Sequence, residues 1–188
     1  MIIGLHGKKR VGKDTVYEII RSSYPHAVRV AFADKMRESL AALFNISTEE
    51  LEDLKESEAA FQLDSVNTQR SFTWREFIQR YGTEAHRDIF GQDFWINSIF
   101  PTAFPLAYVN PNDITVVTDV RFYNEARRIL DLGGHIISVV RPNKEYNNDS
   151  HVSEMGLSEE LVSYEIVNDG SLEQLQERVL KIIDNILN

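Results

Sequence analysis

The sequence contains no cysteine. Disulfides, thiolate zinc centres and cysteine nucleophiles are thereby excluded together, and the absence fits a reducing cytoplasm. No stretch approaches the roughly 18 consecutive apolar residues of a membrane span, and no basic-then-apolar leader precedes the first motif, so neither membrane nor export is expected. Positive charge is scarce: 20 Lys and Arg stand against 29 Asp and Glu, a formal net charge of −9. A polyanion would be repelled outside local basic patches, which argues against a nonspecific nucleic-acid binder. Repeats and low-complexity tracts are missing. His151 belongs to no HxxxH or related metal-ligand spacing, and His6, His26, His86 and His135 join no constellation. What remains is ordinary for one soluble domain: 188 residues, 43% apolar and 26% charged.

Against that background one stretch stands out, Met1 to Arg21. An apolar run, Met1 to Leu5, reads as a buried strand. Gly7-Lys8-Lys9-Arg10-Val11-Gly12-Lys13-Asp14-Thr15 follows, and Val16, Ile19 and Ile20 then mark one face of a helix. Strand, GxxxxGK, helix is the context of a phosphate cradle. Glycines let the backbone curl so that successive N–H groups point at one anion, and the helix N-terminus adds the positive end of its dipole. Lys13 supplies a mobile cation for β- and γ-phosphates. The alternative, a tight turn with a solvated basic loop, explains less. After Lys13 the usual Ser or Thr is replaced by Asp14, and Thr15 comes one residue late. Either Asp14 or Thr15 is a candidate Mg²⁺ ligand, and the sequence leaves both open.

Further along, Val28 to Phe32 reads as a strand, and Asp34 as the N-cap of a helix through Leu43. Ser47 with Glu50 and Thr73 with Glu76 are spaced as capping boxes. Between them, residues 59–71 lose periodicity and suggest a loop or mobile insertion. Gly82 is expected to interrupt the helix that carries Trp74, Phe77, Ile78 and Tyr81; Thr83 starts another, ending near Phe90-Gly91, and Asp93 caps a short one over Trp95, Ile96 and Ile99. Pro101, Pro105 and Pro111 mark a loop before the clearest buried strand, Ile114 to Thr118, which ends in Asp119. A helix from Phe122 to Leu132 stops at Gly133-Gly134, and Ile136 to Val140 is a strand. Pro142 to Ser158 is polar and Asn-rich, so residues 141–158 are the lid candidate. Tyr164 to Val167 is the last strand, and Ser171 with Gln174 caps a final helix, Leu172 to Leu187. The alternation predicts an α/β fold with a parallel sheet and helices on both faces. Residues 1–188 form one domain in this reading, with a helical insertion at about 34–100 where a second substrate would be gripped.

Asp119 ends an apolar strand where parallel sheets bind ligands, and could hold Mg²⁺ water or orient a nucleophile; its plain alternative is a helix N-cap. Arg121 lies beside it, with Arg127 and Arg128 in the next helix, where a solvated face is the default. Arginine forks bind phosphate oxygens bidentately. Arg75, Arg80 and Arg87 recur among Trp74, Phe77, Tyr81, Phe90, Phe94 and Trp95, a mixture that suits a nucleobase with its phosphate and equally an amphipathic helical layer. His151 and Glu154 fall in the lid candidate, where solvent exposure is the default.

Four stretches together resemble the phage-type deoxynucleoside monophosphate kinases of the P-loop kinase superfamily: GKKRVGKDT at Gly7 to Thr15, FADKMRESLAALF at Phe32 to Phe44, REFIQRYGTEAHRDIFGQDFW at Arg75 to Trp95, and TDVRFYNEA at Thr118 to Ala126. The ending IVNDGSLEQL, Ile166 to Leu175, is similar to the closing strand and helix of P-loop kinases more widely. The resemblance implies the P-loop three-layer sandwich and transfer of the ATP γ-phosphoryl group to a deoxynucleoside 5′-monophosphate. By position it implies Gly7, Lys8, Arg10, Val11, Gly12, Lys13, Asp14 and Thr15 for ATP, with Mg²⁺ at Asp14 or Thr15. It also implies Lys13, Arg121 and Asp119 for catalysis, and Asp34, Lys35, Arg75, Arg80, Arg87 and Trp95 for the acceptor. The expected setting is the cytoplasm, that of a host if the chain is phage-encoded, and a homodimer is expected on resemblance alone. A P-loop followed by Asp also occurs in animal-type phosphomevalonate kinases, which keeps another phosphorylated metabolite as an alternative. A nucleotide-dependent switch is the alternative from another class, although no N/TKxD motif is present.

Overall fold

The first strand, β1 (Ile2–His6), has its first four residues buried, as expected for a parallel strand covered on both faces. This is seen in a computed structural model that describes residues 1–57, 59–65, 68–101, 113–142 and 157–187. In chain order β1 is followed by α1 (Lys13–Ser23), β2 (Val28–Val30), α2 (Phe32–Phe44), α3 (Thr48–Glu56), β3 (Ala60–Ser65), β4 (Thr68–Thr73) and α4 (Trp74–Gly82). A π-helical turn, Thr83–Arg87, then leads to α5 (Asp88–Phe90), α6 (Phe94–Ile99), β5 (Thr115–Val120), α7 (Tyr123–Asp131) and β6 (His135–Val140). A 3₁₀ turn at Glu159–Leu161 precedes β7 (Tyr164–Val167) and α8 (Leu172–Leu187). The expected lid falls almost wholly at 143–156, outside the described residues, as do His151, Glu154, Pro105 and Pro111.

The chain divides into two compact units, 1–31 with 102–188 and 32–101. In the first, five strands run in the order β2-β5-β1-β6-β7, and every pairing is parallel. Alternation along β1 sorts the layers. Ile3 and Leu5 join Val116, Ile137 and Ile166 in a core closed by Val16 and Ile20 of α1 and Val179 and Ile183 of α8. On the other face, a Cβ built on Gly4 would lie 2.9 Å from Ile129 Cδ1 of α7, and both Ala126 and Ile129 of that helix are fully buried. Helices therefore cover both faces of a parallel sheet, the expected three-layer α/β sandwich. Among the described residues no helix is long and apolar enough to cross a membrane.

The second unit buries Leu40, Leu51 and Ile78 where α2, α3 and α4 meet, with Phe44 edge-on to Trp74 and Phe77 at centroid distances of 5.3 and 5.8 Å. Both of its capping boxes form as the sequence predicts: Glu50 N–H donates to Ser47 Oγ and Ser47 N–H to Glu50 Oε2, and the Thr73–Glu76 pair repeats the arrangement.

Two expectations in this unit are corrected. Helix α2 starts at Phe32, so Asp34 lies in its first turn and is not its N-cap; Phe32 is 2% exposed and packs edge-on against Phe100, and that burial draws it into the helix. The stretch expected to be a loop is the antiparallel hairpin β3–β4, paired from Ala60–Thr73 to Ser65–Thr68. Its strands are too polar for a hydrophobic alternation to show, and their partner is each other's backbone. Helix α4 ends at Gly82 and another helical turn starts at Thr83, as expected, although Gly82 itself does not break the helical path. It has ordinary helical dihedrals, and a Cβ there would meet Met36 Sδ at 2.6 Å. This glycine is also a close-approach point between helices; the helical path as a whole ends after α5, at Gly91, with φ 105°.

Candidate active site

The loop from Gly7 to Gly12 connects the C-terminal end of β1 to the N-terminus of α1. Three of its residues have positive φ: Gly7 at 143°, Arg10 at 64° and Gly12 at 108°. Val11 is 2% exposed and pins the loop to the core, while Lys8, Lys9 and Arg10 are exposed. Gly12 is the N-cap of α1 and brings no side chain to its first-turn N–H groups, the arrangement that leaves a helix N-terminus suited to an anion. Lys13 Nζ donates to Gly7 O at 2.7 Å and to Lys8 O at 2.9 Å, so the ammonium lies across the loop. Asp14 and Thr15 are exposed on the first turn of α1.

The loop is braced by a residue the sequence reading did not single out. Asn168, just past β7, donates from Nδ2 to Val11 O at 2.8 Å and from its backbone N–H to Val140 O at 2.7 Å. Beside it Arg178 donates to Val167 O and to Asp169 Oδ1, so the β7–α8 corner is itself tied down. Replacing Asn168 with alanine is expected to leave the fold intact and to weaken binding of a phosphate-bearing ligand at the loop about tenfold, the cost of about one buried hydrogen bond. Titration of the variant with a fluorescent ATP analogue checks this; unchanged affinity would remove Asn168 from the loop's support.

Hydrogen bonding to Arg178 holds the Asp169 carboxyl below its ordinary value of 3.8. A carboxyl depressed on folding stabilises above its unfolded pKa, and that contribution disappears as pH falls through the lower folded value. The stability gap between the native chain and Asp169→Asn should therefore be present at neutral pH and close in strong acid, below the lowered folded value. Urea midpoints at the two pH values test it, and a gap that persists in acid contradicts it.

Beside the loop, β5 ends next to β1. The register passes from Gly4–Val117 to His6–Val120, so β5 carries one extra residue in a β-bulge that contains Asp119. Asp119 is half-buried and Arg121, one residue past the strand, is exposed. Asp119 is not the cap of α7: Phe122 occupies that position, and the carboxylate of Glu125 accepts from Arg121 N–H at 2.8 Å and Phe122 N–H at 3.1 Å. His6 reaches the same stretch, its Nδ1 lying 3.0 Å from Val120 O. Arg127 pairs with Asp131 at 3.0 Å on the exposed side of α7. The described residues contain no group of three or more His, Asp or Glu able to hold a metal. Asp14, Thr15 and Asp119 nevertheless offer only oxygen donors, the type Mg²⁺ takes when phosphates and water complete its shell.

The remaining candidates lie in the second unit. Arg75 pairs with Glu56 at 2.9 Å; Arg80 pairs with Glu84 at 3.7 Å and lies over the Phe72 ring, 4.9 Å from its centroid. Arg87 is 8% exposed. Asp34 accepts from Arg37 at 3.0 Å, and Lys35 pairs with Glu38 at 2.7 Å. Trp95 is 6% exposed and donates from Nε1 to Gly82 O at 2.9 Å, so its indole is a packing element of the unit. Gly7 to Thr15, Asp119 and Arg121 are thus carried at the C-terminal ends of neighbouring strands of one parallel sheet, and Asp34, Lys35, Arg75, Arg80, Arg87 and Trp95 by the helices of the other unit. His6, Glu125 and Asn168 were not read from the sequence as site residues. Only Glu125 left a signal, its place three residues after Phe122, and without a Ser, Thr, Asp or Asn at 122 the capping pattern was incomplete.

Comparison with known proteins is consistent with this geometry. The family model described as "Deoxynucleotide monophosphate kinase" matches residues 48–179. A protein of Acanthamoeba polyphaga mimivirus named "Putative deoxynucleotide monophosphate kinase" is 32% identical over 98% of this chain and 97% of its own. The "Deoxynucleotide monophosphate kinase" of Escherichia phage RB69 is 34% identical over 59% of this chain and 46% of its own. Among solved structures, a dephospho-CoA kinase from Campylobacter jejuni superposes with a TM-score of 0.53 at 15% identity, covering 98% of this chain and 96% of that one, a likeness of fold.

Proposed function

Because the chain belongs to the deoxynucleotide monophosphate kinase family, we propose that it transfers the γ-phosphoryl group of ATP to the phosphate of a deoxynucleoside 5′-monophosphate, giving the diphosphate and ADP. The observation that carries this reading is the curled Gly7–Gly12 loop with Lys13 across it at the head of α1. The metabolite-kinase and switch alternatives are not favoured by the family match.

Phosphoryl transfer needs little covalent help from the protein; positioning and neutralisation of charge supply most of the rate. Loop N–H groups, the N-terminus of α1 and Lys13 bind the β- and γ-phosphates of the donor. Arg121 neutralises charge on the migrating group, and its fork accommodates two oxygens at once. The acceptor oxygen is already anionic on the monophosphate, so no strong general base is required. Arg75, Arg80 and Arg87 hold the acceptor phosphate, with Asp34, Lys35 and the aromatic surroundings of Trp95 completing its grip. Mg²⁺ would be held by Asp14 or Thr15, with Asp119 through water, and when bound it draws charge from the donor phosphates.

A coupled ADP-release assay with Mg-ATP tests the proposal against a panel of deoxy- and ribonucleoside monophosphates, with phosphomevalonate included. Turnover of one or more deoxynucleotides is the expected result and supplies the base preference. Turnover of phosphomevalonate alone would keep the mechanism and replace the substrate. Silence across the panel from folded, ATP-binding protein would overturn the kinase reading.

A further inference from the structure

The peptide group between Val120 and Arg121 is bonded at both of its polar ends by side chains from different elements. Its carbonyl oxygen faces His6 Nδ1 at 3.0 Å, and its N–H donates to Glu125 Oε2 at 2.8 Å. The next N–H, that of Phe122, donates to the same carboxylate oxygen at 3.1 Å. Arg121 Cα therefore lies between two peptide groups that are both anchored, and the direction of its Cα–Cβ bond is set by its neighbours.

The chemistry of the two anchors is defined. Leu157 N–H donates to His6 Nε2 at 3.2 Å, so that nitrogen carries no proton. Val120 O can only accept, so the proton of a neutral imidazole sits on Nδ1 and is donated to it. Glu125 is 2% exposed. Burying a carboxylate is costly unless hydrogen bonds compensate, and capping α7 alone does not call for it, since a Ser or Asp at 122 would cap from the surface. The carboxylate also reaches one residue beyond the cap, to the backbone of Arg121. The imidazole comes from the last residue of β1, immediately before Gly7. The orientation of the arginine is thereby tied to the strand from which the phosphate loop springs.

We propose that His6 and Glu125 are positioning residues that aim Arg121 at the migrating phosphoryl group. The inference rests on the role given to Arg121 above. An aim error of about 1 Å at a charge-neutralising group costs on the order of 10²-fold in rate, whereas binding of either nucleotide in the ground state depends mainly on other residues.

The test is steady-state kinetics on Glu125→Ala, Glu125→Gln, His6→Ala and His6→Asn, each alone and with Arg121→Ala. Asparagine places its amide NH₂ near the position of Nδ1 and can still donate to Val120 O; glutamine keeps an oxygen for the two N–H groups. The expected pattern is a kcat lowered about 10- to 100-fold in both alanine variants, each KM within about threefold of the native value, and most of the rate recovered in the asparagine and glutamine variants. In the Arg121→Ala background the two alanine substitutions should cost nothing more, because there is no longer a side chain to aim. Losses that multiply with Arg121→Ala, or a raised donor KM at unchanged kcat, would overturn the inference and leave the role of Arg121 standing. A near-native kcat for Arg121→Ala alone would instead remove the role of Arg121 and the inference with it. Should Glu125→Ala fail to fold, the His6 pair decides by the same criteria, since that side chain is only partly buried.

Discussion

Lys13→Ala should lower kcat on the order of 10²- to 10³-fold, with the thermal unfolding midpoint within about 2 °C of the native chain. The ammonium donates to Gly7 O and Lys8 O, so it lies across the loop. In the proposed transfer it would meet charge that moves from the γ-phosphoryl group toward the β-phosphate. Removing such a preorganised donor costs about 3–4 kcal/mol of barrier, which is two to three decades in rate. Ground-state affinity for ATP should fall less, because the backbone N–H groups and the helix N-terminus remain. Lys13→Arg is expected to rescue poorly: the planar fork is wider than an ammonium and does not reproduce its two hydrogen bonds to Gly7 O and Lys8 O. Single-turnover measurements separate the chemical step from binding, and a Lys13→Ala protein that keeps even a tenth of native turnover would refute the assignment.

The second large effect concerns Gly7, where alanine is expected to cost stability as well as donor binding. Its φ of 143° is a backbone conformation that L side chains rarely adopt, and a Cβ there would lie 2.3 Å from Val139 O. Neither problem can be relieved by turning a flexible side chain, since the obstructing atom is backbone of β6. Either the loop shifts away from the strand or β6 moves, and Val11, 2% exposed in the core, resists the first. A loss of about 2–4 kcal/mol is expected, the range for backbone strain with a buried steric clash, together with an ATP affinity reduced by at least about 10-fold, since each 1.4 kcal/mol of lost binding is a factor of ten. Urea unfolding monitored by tryptophan fluorescence, alongside nucleotide titration, reads both quantities. A variant of native stability would show that the loop has room that this geometry denies it. Gly12→Ala should be milder: the nearest obstacle is the Asn168 side chain at 2.6 Å, which can move, although φ 108° still disfavours it.

Some elements were legible because their cause is local. The strand Ile2–His6, the glycines of the following loop and the apolar face of α1 lie within two dozen consecutive residues, and each announces itself by residue type. The capping boxes at Ser47 and Thr73 were legible for the same reason: donor and acceptor are three residues apart. Errors and omissions arose wherever the partner was distant or was backbone. Gly82 does mark the end of α4, but nothing near it in the chain shows that it also admits Met36 from α2, 46 positions earlier in the numbering. The β3–β4 hairpin lacks an apolar face to reveal it. Phe32 resembles a strand residue until Phe100 supplies a partner.

The curled glycine loop, the lysine within it and the alternation that makes a parallel α/β sheet follow from the sequence, because glycine freedom, side-chain charge and hydrophobic period are properties of residues and their near neighbours. Tertiary structure alone decided what holds Arg121. His6 and Glu125 are separated by more than a hundred residues, and they meet on one peptide group only because β5 lies beside β1 and α7 turns back over the strand it leaves. A hydrogen bond to a backbone carbonyl requires nothing of the sequence at the accepting residue, so no pattern of side chains could have announced it.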